Sequence, residues 1–173
     1  MSADKVRAYV GSVNFTNLTG AARAKALKDL EDKLNSLSYQ ERQRLRLEHF
    51  MNDWFARMTD EERTHFIEAT MPAGFKQMIS AFEQLPEEKR RKVIDDAMKS
   101  LRETNRRARD GIDATNGGTN IPPPISPELE AKIREIGLNS FYSQSSAQTK
   151  AEVAPLLEEL QRVMESGKMQ FQQ

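Results

Sequence analysis

The chain is expected to be all-α, an irregular helical bundle or array of about seven or eight helices with no β-sheet. Alternating runs of β-branched residues do not occur, and valine and isoleucine fall at helical spacings instead. Apolar residues recur three and four apart along most of the chain, as an amphipathic helix requires. One helix-opening pattern also recurs: an apolar residue, a hydroxyl residue or proline, a short polar stretch, then arginine. It reads Leu18-Thr19-Gly20-Ala21-Ala22-Arg23, Leu37-Ser38-Tyr39-Gln40-Glu41-Arg42, Met58-Thr59-Asp60-Glu61-Glu62-Arg63 and Leu85-Pro86-Glu87-Glu88-Lys89-Arg90.

Taken in order, Val6, Tyr9, Val10 and Val13 predict a short first helix, followed by a turn at residues 14–17. A second helix opens at the Thr19 cap, carries Ala22, Ala26, Leu27, Leu30 and Leu34, and stops near Asn35 and Ser36. The third has the strongest stripe, Leu47, Phe50, Met51, Trp54, Phe55 and Met58, and is expected to be the core helix. From Thr59 a fourth carries Phe66, Ile67 and Thr70 and breaks at Met71-Pro72-Ala73-Gly74, where proline removes a donor. Phe75, Met78, Ile79 and Phe82 form one face beyond that break. The next helix opens near Pro86, continues through Val93, Ile94, Ala97, Met98 and Leu101, and dissolves into arginines near 106–109. Residues 110–126 are rich in glycine and then proline and predict a linker. Ser126-Pro127-Glu128 opens a helix with Leu129, Ile133 and Ile136 that is expected to stop at Gly137. A last helix, capped near Ser146, carries Val153, Leu156, Leu157, Leu160, Val163 and Met164, with a kink or restart at Pro155. The organisation expected is a helical array over 1–109, the linker, and a two-helix segment over 127–173 that docks on the array or on a partner.

The repeated signature has a structural purpose. Ser38 with Glu41 and Thr59 with Glu62 fit the capping box, in which each side chain satisfies an orphan backbone donor. An arginine in the first turn opposes the positive end of the helix dipole, so something else must hold Arg23, Arg42, Arg63 and Arg90. Carbonyls at the end of the preceding helix are the nearest acceptors, so the arginines are expected to buckle one helix to the next. The signature recurs after 19, 21 and 27 residues, too irregularly for a solenoid repeat.

Composition excludes several function classes. With no cysteine there is no disulfide, thiolate nucleophile or cysteine-bound metal. Lys+Arg and Asp+Glu are both 26, so net charge gives no reason to expect nucleic acid or an anionic membrane. No stretch approaches the ~20 apolar residues of a membrane span, and no signal-peptide run is present, so a soluble, cytoplasmic protein is the expectation. No phosphate loop, nucleophile elbow or Ser-His-Asp order occurs, and no catalytic residue, cofactor or metal is assigned. Glu62-Arg63-Thr64-His65 matches half of a di-iron pattern, but the only other histidine, His49, lacks the glutamate three residues earlier.

Three features remain as interaction candidates. Met71, Phe75, Met78 and Phe82, with Phe141 and Tyr142, are adaptable apolar side chains suited to a partner surface. Lys89, Arg90, Arg91 and Lys92, with Arg106 and Arg107, are the best nucleic-acid candidates, although residues 86–110 mix 9 basic with 6 acidic side chains. The final apolar stripe, Leu156, Leu157, Leu160 and Met164, can bury its area only against something else.

Met71-Pro72-Ala73-Gly74-Phe75-Lys76-Gln77-Met78, the Leu85 to Arg91 stretch and Gly137-Leu138-Asn139-Ser140-Phe141-Tyr142-Ser143 together resemble a group of uncharacterised bacterial all-helical proteins. The resemblance covers residues ~18 to 165 and implies a helical fold without an assigned activity. Leu37-Ser38-x-x-Glu41 is similar to the Leu-Thr-x-x-Gln repeats of small periplasmic helical chaperones, with glutamate here in place of glutamine. The function expected is protein interaction or scaffolding, without catalysis, through another protein or self-association. A nucleic-acid-associated regulator and a helical chaperone with an exposed Met/aromatic patch are the alternatives.

Overall fold

The computed structural model describes residues 1–46, 52–109 and 126–169. Among these the chain forms α1 (Ala3–Ser12), a 3-10 turn (Phe15–Asn17), α2 (Gly20–Asn35), α3 (Tyr39–Arg46), α4 (Asn52–Arg57), α5 (Asp60–Glu83), α6 (Glu87–Arg109), α7 (Pro127–Gln144) and α8 (Ala147–Met169), and no strand. Leu47, Phe50 and Met51 of the expected core stripe lie outside the described residues, as does the expected linker up to Ile125.

The helices form two compact units that interleave in sequence. The first comprises Met1–Ala81 with Pro122–Gln144, and the second Phe82–Ile121 with Ser145–Gln173. The two helices that follow the linker fall in different units: α7 groups with the N-terminal helices, and α8 with α6.

The first unit has an enclosed core. Ala3 and Val6 of α1, Phe15, Ala26, Leu27, Leu30 and Leu34 of α2, Leu37, Leu45, Trp54, Met58 and Phe66 are all buried in one cluster. Leu30 is wholly removed from water, which contributes about 1.5–3 kcal/mol. Trp54 stacks on Phe15 with ring centres 4.4 Å apart, and Tyr9 tilts against it at 6.1 Å. The Tyr9 hydroxyl donates to the carbonyl of Ala26, tying α1 to α2. Gly20 opens α2 at φ +53°, a conformation in which a Cβ would crowd the backbone. The Thr19 side chain makes no capping hydrogen bond, contrary to the cap expected there.

Two predicted breaks in this unit are absent. Pro72 lies inside α5, which runs unbroken from Asp60 to Glu83. Proline leaves the Glu68 carbonyl without its helical donor, yet α5 is held on both sides of it. Asn35 Nδ2 donates to the carbonyl of Ala69 at 2.9 Å, Gln77 Nε2 donates to that of Leu37 at 2.8 Å, and Phe66, Thr70 and Ile79 are buried. Gly137 likewise does not stop α7, which continues to Gln144. A Cβ on Gly137 would come within 3.2 Å of the Phe75 ring, so this glycine is a notch that admits a neighbour.

The second unit is an α6–α8 pair with the end of α5. Ser146 caps α8 through the Thr149 amide, and the Glu83 carboxylate accepts from the Ser146 amide at 2.7 Å, completing a cap from outside the helix. That bond lowers the Glu83 carboxyl below its ordinary value. Pro155 sits within α8 without a restart, contrary to expectation. On its two sides Glu152 pairs with Arg90 and Glu159 with Arg102, both on α6.

Candidate functional site

The signature arginines occupy one recurrent geometry. Arg23 Nη1 donates to the carbonyl of Phe15 at 3.2 Å, Arg42 Nη2 to that of Leu34 at 2.6 Å, and Arg63 Nε to that of Phe55 at 2.9 Å. In all three the acceptor lies eight residues earlier. Arg90 Nη1 reaches the nearer carbonyl of Leu85 at 2.7 Å. Arg23 also donates to the carbonyl of Arg57, and Arg63 to that of Ala56. Leu34, Phe55, Ala56 and Arg57 lie in the last turns of α2 and α4, where carbonyls carry negative partial charge, and the carbonyls of Leu34 and Phe55 also accept from the amide three residues on; Phe15 instead opens the 3-10 turn. At the ends of α2 and α4 the local dipole therefore favours the cation that the new helix start disfavours.

Three of these arginines also have a carboxylate. Arg23 forms two hydrogen bonds to Glu62 at 2.6 and 2.9 Å, which lower the Glu62 carboxyl and raise the guanidinium. Glu62 at the same time accepts from the Thr59 amide, while Thr59 Oγ1 accepts from the Glu62 amide, a complete capping box. Arg90 binds Glu152 through Nε and Nη2 at 2.7 and 2.8 Å, and this pairing lowers the Glu152 carboxyl to about 2. Arg63 pairs with Asp60 at 3.1 Å. Ser38 completes only half of its box. Its hydroxyl accepts from the Glu41 amide, but the Glu41 carboxylate turns to the Ala3 amide at 2.6 Å and caps α1 instead. That backbone bond holds Glu41 below the usual carboxylate range.

Arg42 differs from the other three. Its Nε donates to Gln77 Oε1 at 3.1 Å, and among the described residues no carboxylate lies within ion-pairing reach. The guanidinium is half-buried, and burial pulls its pKa below the ordinary value. It lines a cleft of about 470 Å³ in the first unit, walled by Ile67, Met71, Phe75 and Met78 of α5 and Ile133 of α7. Tyr39, three residues before Arg42 and on the same face of α3, also lines it.

The apolar candidates are therefore divided. Met71, Phe75 and Met78 line this cleft, and Phe82 belongs to the second unit. Phe141 and Tyr142, on α7, meet edge to face at 5.4 Å, and Tyr142 remains 58% exposed beside a shallow depression that includes Pro72. Of the basic candidates, Arg90 is taken up by Glu152, Arg91 by Glu87 and Arg106 by Glu103, while Lys89 and Lys92 are exposed. The side chain of Arg107 lies outside the described residues. His65 sits 3.1 Å from the buried carboxylate of Glu31, and Glu62 is spent on Arg23 and Thr59. Among the described residues no three His, Cys, Asp or Glu side chains gather as a metal site, and no helix is long and apolar enough to cross a membrane.

Sequence reasoning missed Tyr39, Gln43 and Ile133 as cleft residues, Gln77 as the partner of Arg42 and Glu152 as the partner of Arg90. Their partners stand tens of residues away, and no local pattern marks them. No protein-family profile, curated protein or solved structure matches the chain.

Proposed function

We propose that the chain is a non-catalytic protein-interaction or scaffold module, and that it docks a partner protein or a second copy on the apolar face of the α6–α8 pair. One observation carries the reading. In the second unit, among the described residues, no apolar side chain is fully buried, and the buried side chains are Ser145 and Thr149. Val93 is 46% and Leu160 41% exposed, while Ile94, Ala97, Met98, Leu101, Leu156 and Leu157 are only half-covered. Both helices have 23 residues, a length of about 35 Å. A pair of helices that long, with its seam partly open to water, offers a continuous strip for a further helix.

The test uses the full chain carrying Val93→Glu and Leu160→Glu. Light scattering gives the solution mass, and capture from host extract identifies what is retained. The wild type is expected to show a dimer or a defined partner, and the double variant to lose it with helicity preserved. An unchanged mass together with an unchanged set of captured proteins would overturn the reading.

A further inference from the structure

The geometry points to the cleft between α3, α5 and α7 as a binding site for an aliphatic carboxylate, a medium-chain fatty acid anion whose headgroup sits on Arg42. This goes beyond the reading of the second unit and does not depend on it.

At the equivalent helix starts Arg23, Arg63 and Arg90 have Glu62, Asp60 and Glu152, whereas Arg42 has two neutral acceptors, the amide oxygen of Gln77 and the carbonyl of Leu34. A half-buried guanidinium without a counter-charge is costly, and an anion from solution removes that cost. Arg42 Nη1 makes no hydrogen bond among the described residues and lies on the cleft side. It is 3.6 Å from the point where a Cβ on Gly74 would stand. Because Gly74 has no side chain, nothing at that position covers the cation. With Nε and Nη2 engaged, the Nη1 N–H groups remain to donate charge-assisted hydrogen bonds to a carboxylate. The Tyr39 hydroxyl accepts from Gln43 Nε2 at 2.8 Å, and its own proton has no acceptor among the described residues, so a second donor is available on the same wall.

The rest of the lining selects the tail. Ile67, Met71, Phe75, Met78 and Ile133 are apolar, and the two methionines and the phenylalanine can adjust to an alkyl chain. Thr70 also lines the cleft, but its hydroxyl donates to the Phe66 carbonyl of its own helix. Gln43 lines the cleft too, with its Nε2 donating to the Tyr39 hydroxyl, so the polar groups gather at the Tyr39–Gln43–Arg42 end of the cleft and the remainder, where an alkyl chain needs no partner, is apolar. Its volume of about 470 Å³ falls in the range of about 300–1,000 Å³ typical of small-ligand sites.

The test titrates sodium decanoate, below its micelle concentration, into the full-length protein, followed by calorimetry and by the methyl signals of 13C-labelled methionine. Saturable binding of one decanoate is expected, with shifts at Met71 and Met78, and 1-decanol is expected to bind at least tenfold more weakly. Arg42→Met should abolish binding, but Arg42 also holds the Leu34 carbonyl, so this variant could fail by unfolding. Gly74→Asp avoids that difficulty. It places a carboxylate beside Arg42 Nη1, and it is expected to eliminate decanoate binding while the melting temperature stays level or rises. The inference is overturned by any of four results: no saturation by about 1 mM, equal affinity for decanol, undiminished binding to Gly74→Asp, or tighter binding of a peptide ending in leucine.

Discussion

Arg63 illustrates how single residues join this chain. Its guanidinium spans two carbonyls at the end of α4, lies 5.5 Å from the ring of Phe55, and is only 15% exposed. Replacement by methionine keeps the length and apolar stem but leaves the carbonyls to water. Hydrogen bonds with a charged partner contribute about 1.5–3 kcal/mol, and rehydration of the carbonyls recovers part of that. Arg63→Met is therefore expected to destabilise the first unit by about 1–2 kcal/mol in urea denaturation followed by Trp54 fluorescence. A loss within ~0.5 kcal/mol, the norm for surface substitutions, would assign these contacts no structural weight. At this scale much was readable from sequence. A Thr-x-x-Glu box is local chemistry, and the conflict between an early arginine and the helix dipole already called for an external acceptor. What could not be read is where a side chain goes when two acceptors compete. Glu41 fits a box with Ser38 in every local respect and instead caps α1, 38 residues earlier.

Among the elements, α6 and α8 are joined by two ion pairs. Arg90–Glu152 and Arg102–Glu159 span the seam, and the first holds Glu152 at about 2. A carboxyl whose folded value lies below its unfolded value of 4.5 favours the folded state fully above pH ~4.5. That contribution is lost as pH falls from there towards ~2. The protection factors of the α8 amides, each taken against the intrinsic exchange rate at that pH, are accordingly expected to fall over this interval, and Glu152→Gln is expected to start lower at neutral pH and to keep only the acid dependence that the Glu83 cap contributes. An acid profile that is the same in the variant would remove the pair from the account. Helix existence was legible here from the 3.6-residue period, but helix interruption was not. Pro72, Gly137 and Pro155 each carry a valid local signal for a break. At Pro72 the flanking turns are fastened by Asn35 and Gln77, at Gly137 the missing Cβ admits Phe75, and at Pro155 the bracketing glutamates are bound by α6. Tertiary contacts outweigh the local preference in each case.

Over the whole molecule, the two units differ in kind. The first encloses Trp54, 4% exposed, within a continuous apolar core, and the second has no buried apolar side chain among the described residues. Burial of this kind sets the free energy of local opening. In urea, helicity measured by circular dichroism is expected to start falling before Trp54 fluorescence changes, because α6 and α8 contribute to the first signal and not to the second. Coincident curves would show instead that both units unfold as one. The interleaving of the units was hidden from sequence because composition marks only the glycine- and proline-rich stretch. Within the first unit α7 buries Leu129 and Ser140, admits Phe75 at the Gly137 notch and pairs Lys132 with Glu68, and such pairings between distant positions leave no periodic trace.

The constant offset of the arginine clasps also fixes the length of the chain between them. Surface connections between helices ordinarily accept extra residues at little cost. Here Arg23, Arg42 and Arg63 each reach back eight positions, so a residue added to or removed from the intervening stretch would carry the guanidinium past its carbonyl and turn its helix by about 100°. Each connection thus acts as a ruler, and over evolutionary time these three short stretches should tolerate changes of residue far more readily than changes of length.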